Sequence, residues 1–357
     1  MAVTEDRGKH VETMEFETVV IGGGTAGASA AIASAKAGVS TLIVEKMTAL
    51  GGTAVHSLVM PMMASHVEHG AVFHDLEQEL TDRGIRTRDG YSEGLWFSGE
   101  EMAFCLESLF LKYGGKILYD AVLVDAVVAD GQIDSLLVRT STGLVKIKGK
   151  CYVDASGDAV LARLCGVICE SGDENGENQV SSFRFEMGGI DVEAYRSYCQ
   201  SINDDFCPMK RGEYFESAMV GGNGFALEPI FRKGVDAGIL LEEDLRYYQC
   251  FTIPGKDGSM SFNCPHIKGL THNTDLWSRS EGIIKGRQMV RRLAAFLKAY
   301  MPGFEHAYLI REASALGVRE SYRIVGKYMQ KKKNVSLERL MAEQDYHKIL
   351  REAGYRP

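Results

Sequence analysis

The sequence predicts an α/β fold with a parallel βαβ unit near its N-terminus and a second, α+β part behind it. Three observations carry this. The apolar residues 18–21 run into Gly22-Gly23-Gly24-Thr25-Ala26-Gly27 and then into an Ala- and Ser-rich stretch ending at Lys36. Apolar residues recur at helical spacing in residues 100–113 and 278–300. From Phe183 onward the composition shifts to aromatic residues and short alternating segments, broken by Gly221-Gly222-Asn223-Gly224 and Pro254-Gly255-Lys256-Asp257-Gly258.

Taken in order, residues 18–21 read as a buried parallel strand followed by a sharp turn into a helix whose first free N–H groups, at Thr25 and Ala26, point at a pyrophosphate. Gly22 permits the turn, Gly24 lets backbone approach phosphate, and Gly27 lets helix lie close to strand. Gly38 stands where a left-handed residue ends the helix, and residues 41–44 are the second strand. Glu45 follows 18 residues after Gly27, near the roughly 20-residue spacing at which an acid takes hydrogen bonds from a ribose. Its charge disfavours a 2′-phosphate and so argues against NADP. Together these make a Rossmann-type dinucleotide site, common to NAD and FAD. Residues 116–123 and 133–147 read as β segments separated by Asp130-Gly131 and Thr142-Gly143 turns, and residues 260–263 as a further strand.

Beyond the fingerprint, the segment Glu45-Lys46-Met47-Thr48-Ala49-Leu50-Gly51-Gly52-Thr53 resembles the E-K-x-x-x-L-G-G-T of the FAD-dependent oxidoreductase family, within the glutathione-reductase-type flavoproteins. A second match is Cys151-Tyr152-Val153-Asp154-Ala155-Ser156-Gly157-Asp158-Ala159, and further segments resemble the family in order up to Gly326. The resemblance implies FAD rather than NAD. It places Gly51 and Gly52 beside the pyrophosphate and flavin, Gly157 and Asp158 near the ribityl and pyrophosphate, and the backbone around Leu123 beside the adenine. It also makes the β segments a meander inserted in the flavin domain. The organisation expected is a polar extension at 1–13, an FAD-binding domain at 14–170, a substrate domain with return helices at 171–330, and a divergent C-terminal helix at 331–357. That last stretch departs from the family, with a single glycine, Gly354, and no second glycine-rich turn. The expectation is a truncated member, or one whose open flavin side a protein partner covers.

Composition narrows the classes. Lys and Arg number 40 against 48 Asp and Glu, a net charge of −8 that offers no broad basic surface for nucleic acid. A hydrophobic content of 45% excludes a disordered chain. No apolar run is long enough to span a bilayer, and the first residues carry no secretory pattern, so the expected location is cytoplasmic. Its eight cysteines form no C-x-x-C and are read as reduced thiols, with Cys165 and Cys169 as a buried pair one helical turn apart.

Flavin chemistry needs few side chains. His56, four residues after Gly52, is the candidate for proton exchange, set against a merely hydrogen-bonded role. Arg184, Arg319 and Arg323 are candidates for an anionic small-molecule substrate, because guanidinium holds carboxylates bidentately, although Arg319 and Glu320 could equally form an ion pair. His66, His69 and His74 have no accompanying ligand pattern, so no metal is expected. His266 and His272 flank a strand-like loop without a placement. The functions this leaves are an FAD-dependent oxidoreductase, a non-catalytic or partner-dependent flavin-fold protein, and a flavin subunit of a heterodisulfide-reductase-like electron-transfer complex.

Overall fold

A computed structural model describes residues 12–62, 70–84, 86–88, 95–204, 214–267, 269–270 and 272–326. The N-terminal extension through residue 11, His66, His69 and the expected C-terminal helix at 331–357 lie outside the described residues.

The chain opens with β1 (Glu12–Ile21), α1 (Thr25–Lys36), β2 (Thr41–Val44) and the single turn α2 (Thr53–His56). A small sheet of β3 (Pro61–Met62), β4 (Arg86–Arg88) and β5 (Leu95–Phe97) is interleaved with α3 (Ala71–Asp82), and α4 (Gly99–Lys112) follows. Then come β6 (Lys116–Leu118), β7 (Val122–Ala129), β8 (Gln132–Thr140), β9 (Gly143–Asp154) and α5 (Val160–Leu164). The main sheet has the order β6-β2-β1-β9-β8-β7. Its first four strands are parallel and end level, Ile21 against Val44 and Asp154, and Val44 against Leu118. In a parallel sheet of this kind ligands bind beyond the carboxyl ends, where the strand order reverses; here that point is β1, flanked by β2 and β9.

Residues 25–36 and 41–44 are helix and strand as their patterns require, and Gly38 has φ +81° after the helix. Three expectations are corrected. Glu12 and Thr13 belong to β1 rather than to an extension, because they pair with Val145 and Lys146 of β9. Residues 116–123 are not one meander strand: β6 joins the parallel sheet, the chain breaks at Asp120 (φ +50°), and β7 starts the meander that β8 and β9 continue. Cys165 and Cys169 do not share a helix, since α5 ends before Cys165 and Cys169 opens β10; both are partly exposed.

The second part contains β10 (Cys169–Ser171), β11 (Ser181–Ser182), β12 (Phe185–Gly188), α6 (Val192–Ser201), β13 (Glu216–Met219), α7 (Glu228–Asp236), β14 (Tyr248–Thr252), β15 (Met260–Phe262), β16 (His266–Ile267), α8 (Ser278–Tyr300), β17 (Tyr308–Glu312) and β18 (Tyr322–Ile324). Its sheet runs β13-β14-β15-β12-β17, antiparallel throughout. Alternation gives it two unlike faces. One carries Met219, Tyr248, Cys250, Phe262, Phe185 and Met187 into a core with Phe231 of α7 and Leu293 and Phe296 of α8. Phe185 and Phe262 stack there at 4.4 Å, and each buried ring contributes roughly 1.5–3 kcal/mol.

The opposite face is polar and turns to the first part. Buried Glu186 is bonded to Arg311 at 2.6 Å, Arg311 pairs with Glu100 at the start of α4 at 2.7 Å, and Lys256 bridges Glu100 and Glu186 at 2.8 and 3.8 Å. Two acids and two bases thus neutralise one another across the junction, which is what allows Glu186 to be buried. Beside them Trp96 packs on Tyr214 and Phe251, at 4.7 and 6.1 Å between rings.

Burial alone would raise the Glu100 carboxyl, but hydrogen bonds from Lys256 and Ser98 and the Arg311 charge bring it down to about 2 from 4.5. A depressed carboxyl contributes stability that is complete above the unfolded value and is lost as pH falls through the folded one. Wild type should therefore resist urea better than Glu100→Gln at neutral pH, and the gap should close as pH falls from about 5 to about 2. A gap independent of pH would place the stabilisation elsewhere.

Candidate functional site

The glycine turn is built by backbone lying on backbone. Gly22 has φ +96°, and a Cβ on it would stand 2.4 Å from the Ala155 carbonyl oxygen; one on Gly27 would stand 1.8 Å from that of Gly22. These two positions need glycine for the protein's own packing. Gly24 does not. Its φ is −62°, and the nearest atom to a Cβ there is the Gly52 Cα at 3.9 Å. What the missing side chain leaves is open space at the start of α1, a helix with no side-chain cap and no acid in its first turn, where Thr25 and Ala26 are the first residues. Gly51 and Gly52 close the other side: the Gly51 N–H donates to the Gly23 carbonyl at 2.8 Å, and Gly24 and Gly51 form a parallel bridge.

Glu45 follows β2 beside this turn, 5% exposed, with its oxygens accepting from the Gly23 and Met47 N–H groups at 2.5 and 2.7 Å. Each oxygen retains a second lone pair for a sugar hydroxyl. The Ala121 N–H donates to the Glu45 carbonyl at 3.0 Å, just before β7, in which Leu123 is buried in the core. An anion-binding helix N-terminus, a cradle that a Cβ would fill and a ribose-type acid fit a dinucleotide.

Asp158, after Gly157 (φ +77°), is held by Arg279 through two bonds of 3.0 and 2.5 Å and by Ser321 at 2.6 Å, with the Lys46 ammonium at 3.9 Å. Burial pushes its carboxyl up, but the Arg279 and Ser321 hydrogen bonds outweigh that and hold it below the usual range. Arg279 and Ser321 lie 121 and 163 residues from Asp158, and no local pattern marks them.

His56 is 8% exposed and its ring is engaged at both nitrogens, with the Ala49 carbonyl and the Ser314 hydroxyl each at 3.1 Å. A carbonyl only accepts, so Nε2 carries a proton toward Ala49, and the Ser314 hydroxyl lies between Nδ1 and the His56 carbonyl, to which it donates at 3.3 Å. Arg184 is 5% exposed and donates to the Leu58 carbonyl at 3.2 Å, reaching from the second sheet to the segment leaving α2. Burial, and then the Arg319 charge, lower it to about 10. Arg319 is exposed and belongs to none of the ion pairs among the described residues; the Glu320 partner is Arg323, at 2.7 Å. Arg323 also donates to the Gly172 carbonyl at 2.7 Å. Sequence reasoning left His266 unplaced; it stacks flat on Tyr247 at 4.3 Å. Burial, then Arg319, Arg246 and Arg184, push its imidazole down to about 4. Tyr247 continues through Gln249 to Glu216 and Tyr214 in one hydrogen-bonded row along the polar face.

A dinucleotide mouth beyond a parallel sheet, joined to a second, antiparallel sheet, is the architecture of a nucleotide-binding α/β protein. A family model described as FAD dependent oxidoreductase matches residues 17–345, and the chain belongs to that family, whose cofactor is FAD. A thiamine thiazole synthase from Methanococcus aeolicus is 26% identical over 163 residues, 43% of this chain and 59% of that protein, so the chain spans about three-fifths of the curated relative it matches. Among solved structures, the flavin-dependent monooxygenase PieE, in complex with FAD and substrate, superposes with TM-score 0.56 at 10% identity, over 89% of this chain and 52% of that one. The p-nitrophenol 4-monooxygenase of Pseudomonas putida gives 0.54 at 12% identity, over 88% and 70%. A myxobacterial FAD-dependent chondrochloren halogenase gives 0.54 at 14% identity, over 88% and 66%. At these identities the likeness is one of fold. Among the described residues no three His, Cys, Asp or Glu side chains gather as metal ligands, and no helix is long and apolar enough to cross a membrane.

Gly24→Val should leave the thermal midpoint of the apoprotein unchanged and abolish the FAD released on denaturation, because its side chain fills only the cradle. Gly27→Ala should lose about 1–3 kcal/mol of stability as well, through overpacking against Gly22. Full FAD content in Gly24→Val would remove the pyrophosphate from this turn.

Proposed function

We propose that this chain transfers a hydride or electrons between FAD and a small-molecule substrate lying between the cofactor mouth and the polar face of the five-stranded sheet. The observation that carries the reading is the open cradle at Gly24, which neither backbone conformation nor protein packing explains. Bound FAD supplies the hydride-accepting or hydride-donating ring. The protein's part is to hold and orient. Gly22, Gly24, Thr25, Ala26 and Gly27 receive the pyrophosphate, Glu45 the ribose, and Gly51 and Gly52 let the backbone run close to the cofactor. Lys46 and Asp158 close the mouth from opposite loops, and Leu123 lies on the adenine side.

His56 acts by position. Its two bonds tie the segment after Lys46 to the Ser314 loop of the second part, keeping the Gly51-Gly52 turn and the sheet in register. Arg184 touches the same segment at Leu58, so it stands where a substrate meets both parts. Arg319 comes from the strand-flanking loop beside it.

The full chain, purified and passed through gel filtration, should release stoichiometric FAD on denaturation. Its visible flavin band should bleach on anaerobic photoreduction and return in air. Release of NAD, or of no nucleotide from a folded chain, would overturn the reading.

A further inference from the structure

The polar sheet face carries more buried hydrogen-bonding capacity than the protein uses. Nε of Arg184 and Nε2 of His266 are both buried without a partner, and Ser261 Oγ and Asn263 Oδ1 nearby are in the same state. Leaving such groups unpaired costs about 1–3 kcal/mol each, so the cluster is built for something polar. Arg184, His266 and Arg319 rise from three adjacent segments. Ser182 pairs with His266 across β11 and β16 and bridges Gly317 on its other side. Arg246 adjoins Tyr247, on whose ring His266 is stacked. None of the ion pairs among the described residues involves Arg184, Arg246 or Arg319, although carboxylates satisfy the arginines close by at 311 and 323. The charges of these three guanidinium groups all act on the His266 imidazole, and none of the three has a carboxylate partner among the described residues.

We propose that Arg184, Arg319 and His266 form a carboxylate-binding subsite, and that the substrate is a small organic acid held by it on the sheet face. The inference rests on the reading that FAD lies across from this face. A carboxylate would bring one oxygen for the unbonded Nε of Arg184 and one for an imidazole nitrogen, with the exposed Arg319 and Arg246 adding charge. A neutral imidazole donates through one ring nitrogen only, and the tautomer this subsite requires is the one with hydrogen on Nε2.

The test is calorimetric titration of the purified full chain with benzoate, succinate and inorganic phosphate at constant ionic strength, with FAD content measured by release from the same sample. Benzoate or succinate should bind saturably and perturb the flavin absorption band. Arg319→Gln, an exposed change that leaves the core intact, should weaken binding by about tenfold or more, the loss of a charge-assisted contact. Arg323→Gln, whose guanidinium is already taken by Glu320 and Gly172, should bind as wild type does. No carboxylate binding, tighter saturation by phosphate, or an Arg319→Gln variant that binds normally would each overturn the subsite. Calorimetry reads binding with or without flavin, so a preparation lacking FAD counts against the cofactor reading alone.

Discussion

The carbonyl oxygen of Gly22 lies where a Cβ on Gly27 would have to go, and the carbonyl of Ala155 crowds the same place on Gly22. The ends of β1 and β9 and the start of α1 therefore meet backbone on backbone, with only the Ala155 methyl beside Gly27. From this contact follow the closeness of α1 to the sheet, the aim of its uncapped N-terminus, and the position of the Asp154 to Asp158 turn. Asp154 itself helps, taking the Ser156 N–H and hydroxyl on one oxygen and the Ala162 N–H on the other, so the turn is rigid before any ligand arrives.

The second constraint is charge balance at the junction. Glu186, Arg311, Glu100 and Lys256 can be buried or half-buried only as a set, and the set joins α4 to the sheet. Elsewhere in the second part, Arg184 Nε and His266 Nε2 are buried without a hydrogen-bond partner, and neither residue has a carboxylate among the described ion pairs. Glu186 Oε2 and Arg311 Nε are unbonded too, so what sets the fastening group apart is its paired charges rather than complete hydrogen bonding.

The glycine turn, the acid after the second strand and the long helix Ser278–Tyr300 were legible because each depends on residues adjacent in sequence. The meander was legible only in part: β6 and β7 are separated by a left-handed Asp120, a residue type that permits such a break without announcing it. The placement of the cysteines at 165 and 169 failed because a five-residue helix ends at Leu164, before either of them. Asp158 could be singled out, but not its partners, since Arg279 lies on α8 and Ser321 before β18. His56 stood out by its spacing from Gly52, whereas its engagement with Ser314, 258 residues away, is set by how the layers close. Arg319 and Arg323 looked equivalent in sequence; only the strand pairing of β10 with β18 decides that Arg323 meets Glu320 and Gly172.

The two tryptophans of the chain occupy opposite environments. Trp277 is 68% exposed at the mouth of α8, whereas Trp96 is 4% exposed, wedged against Tyr214 and Phe251 where the layers join. A water-borne quencher will silence the first and spare the second. The remaining indole emission then comes from the junction itself. The protein thus contains an optical gauge of how tightly its two layers are closed, readable without any attached label.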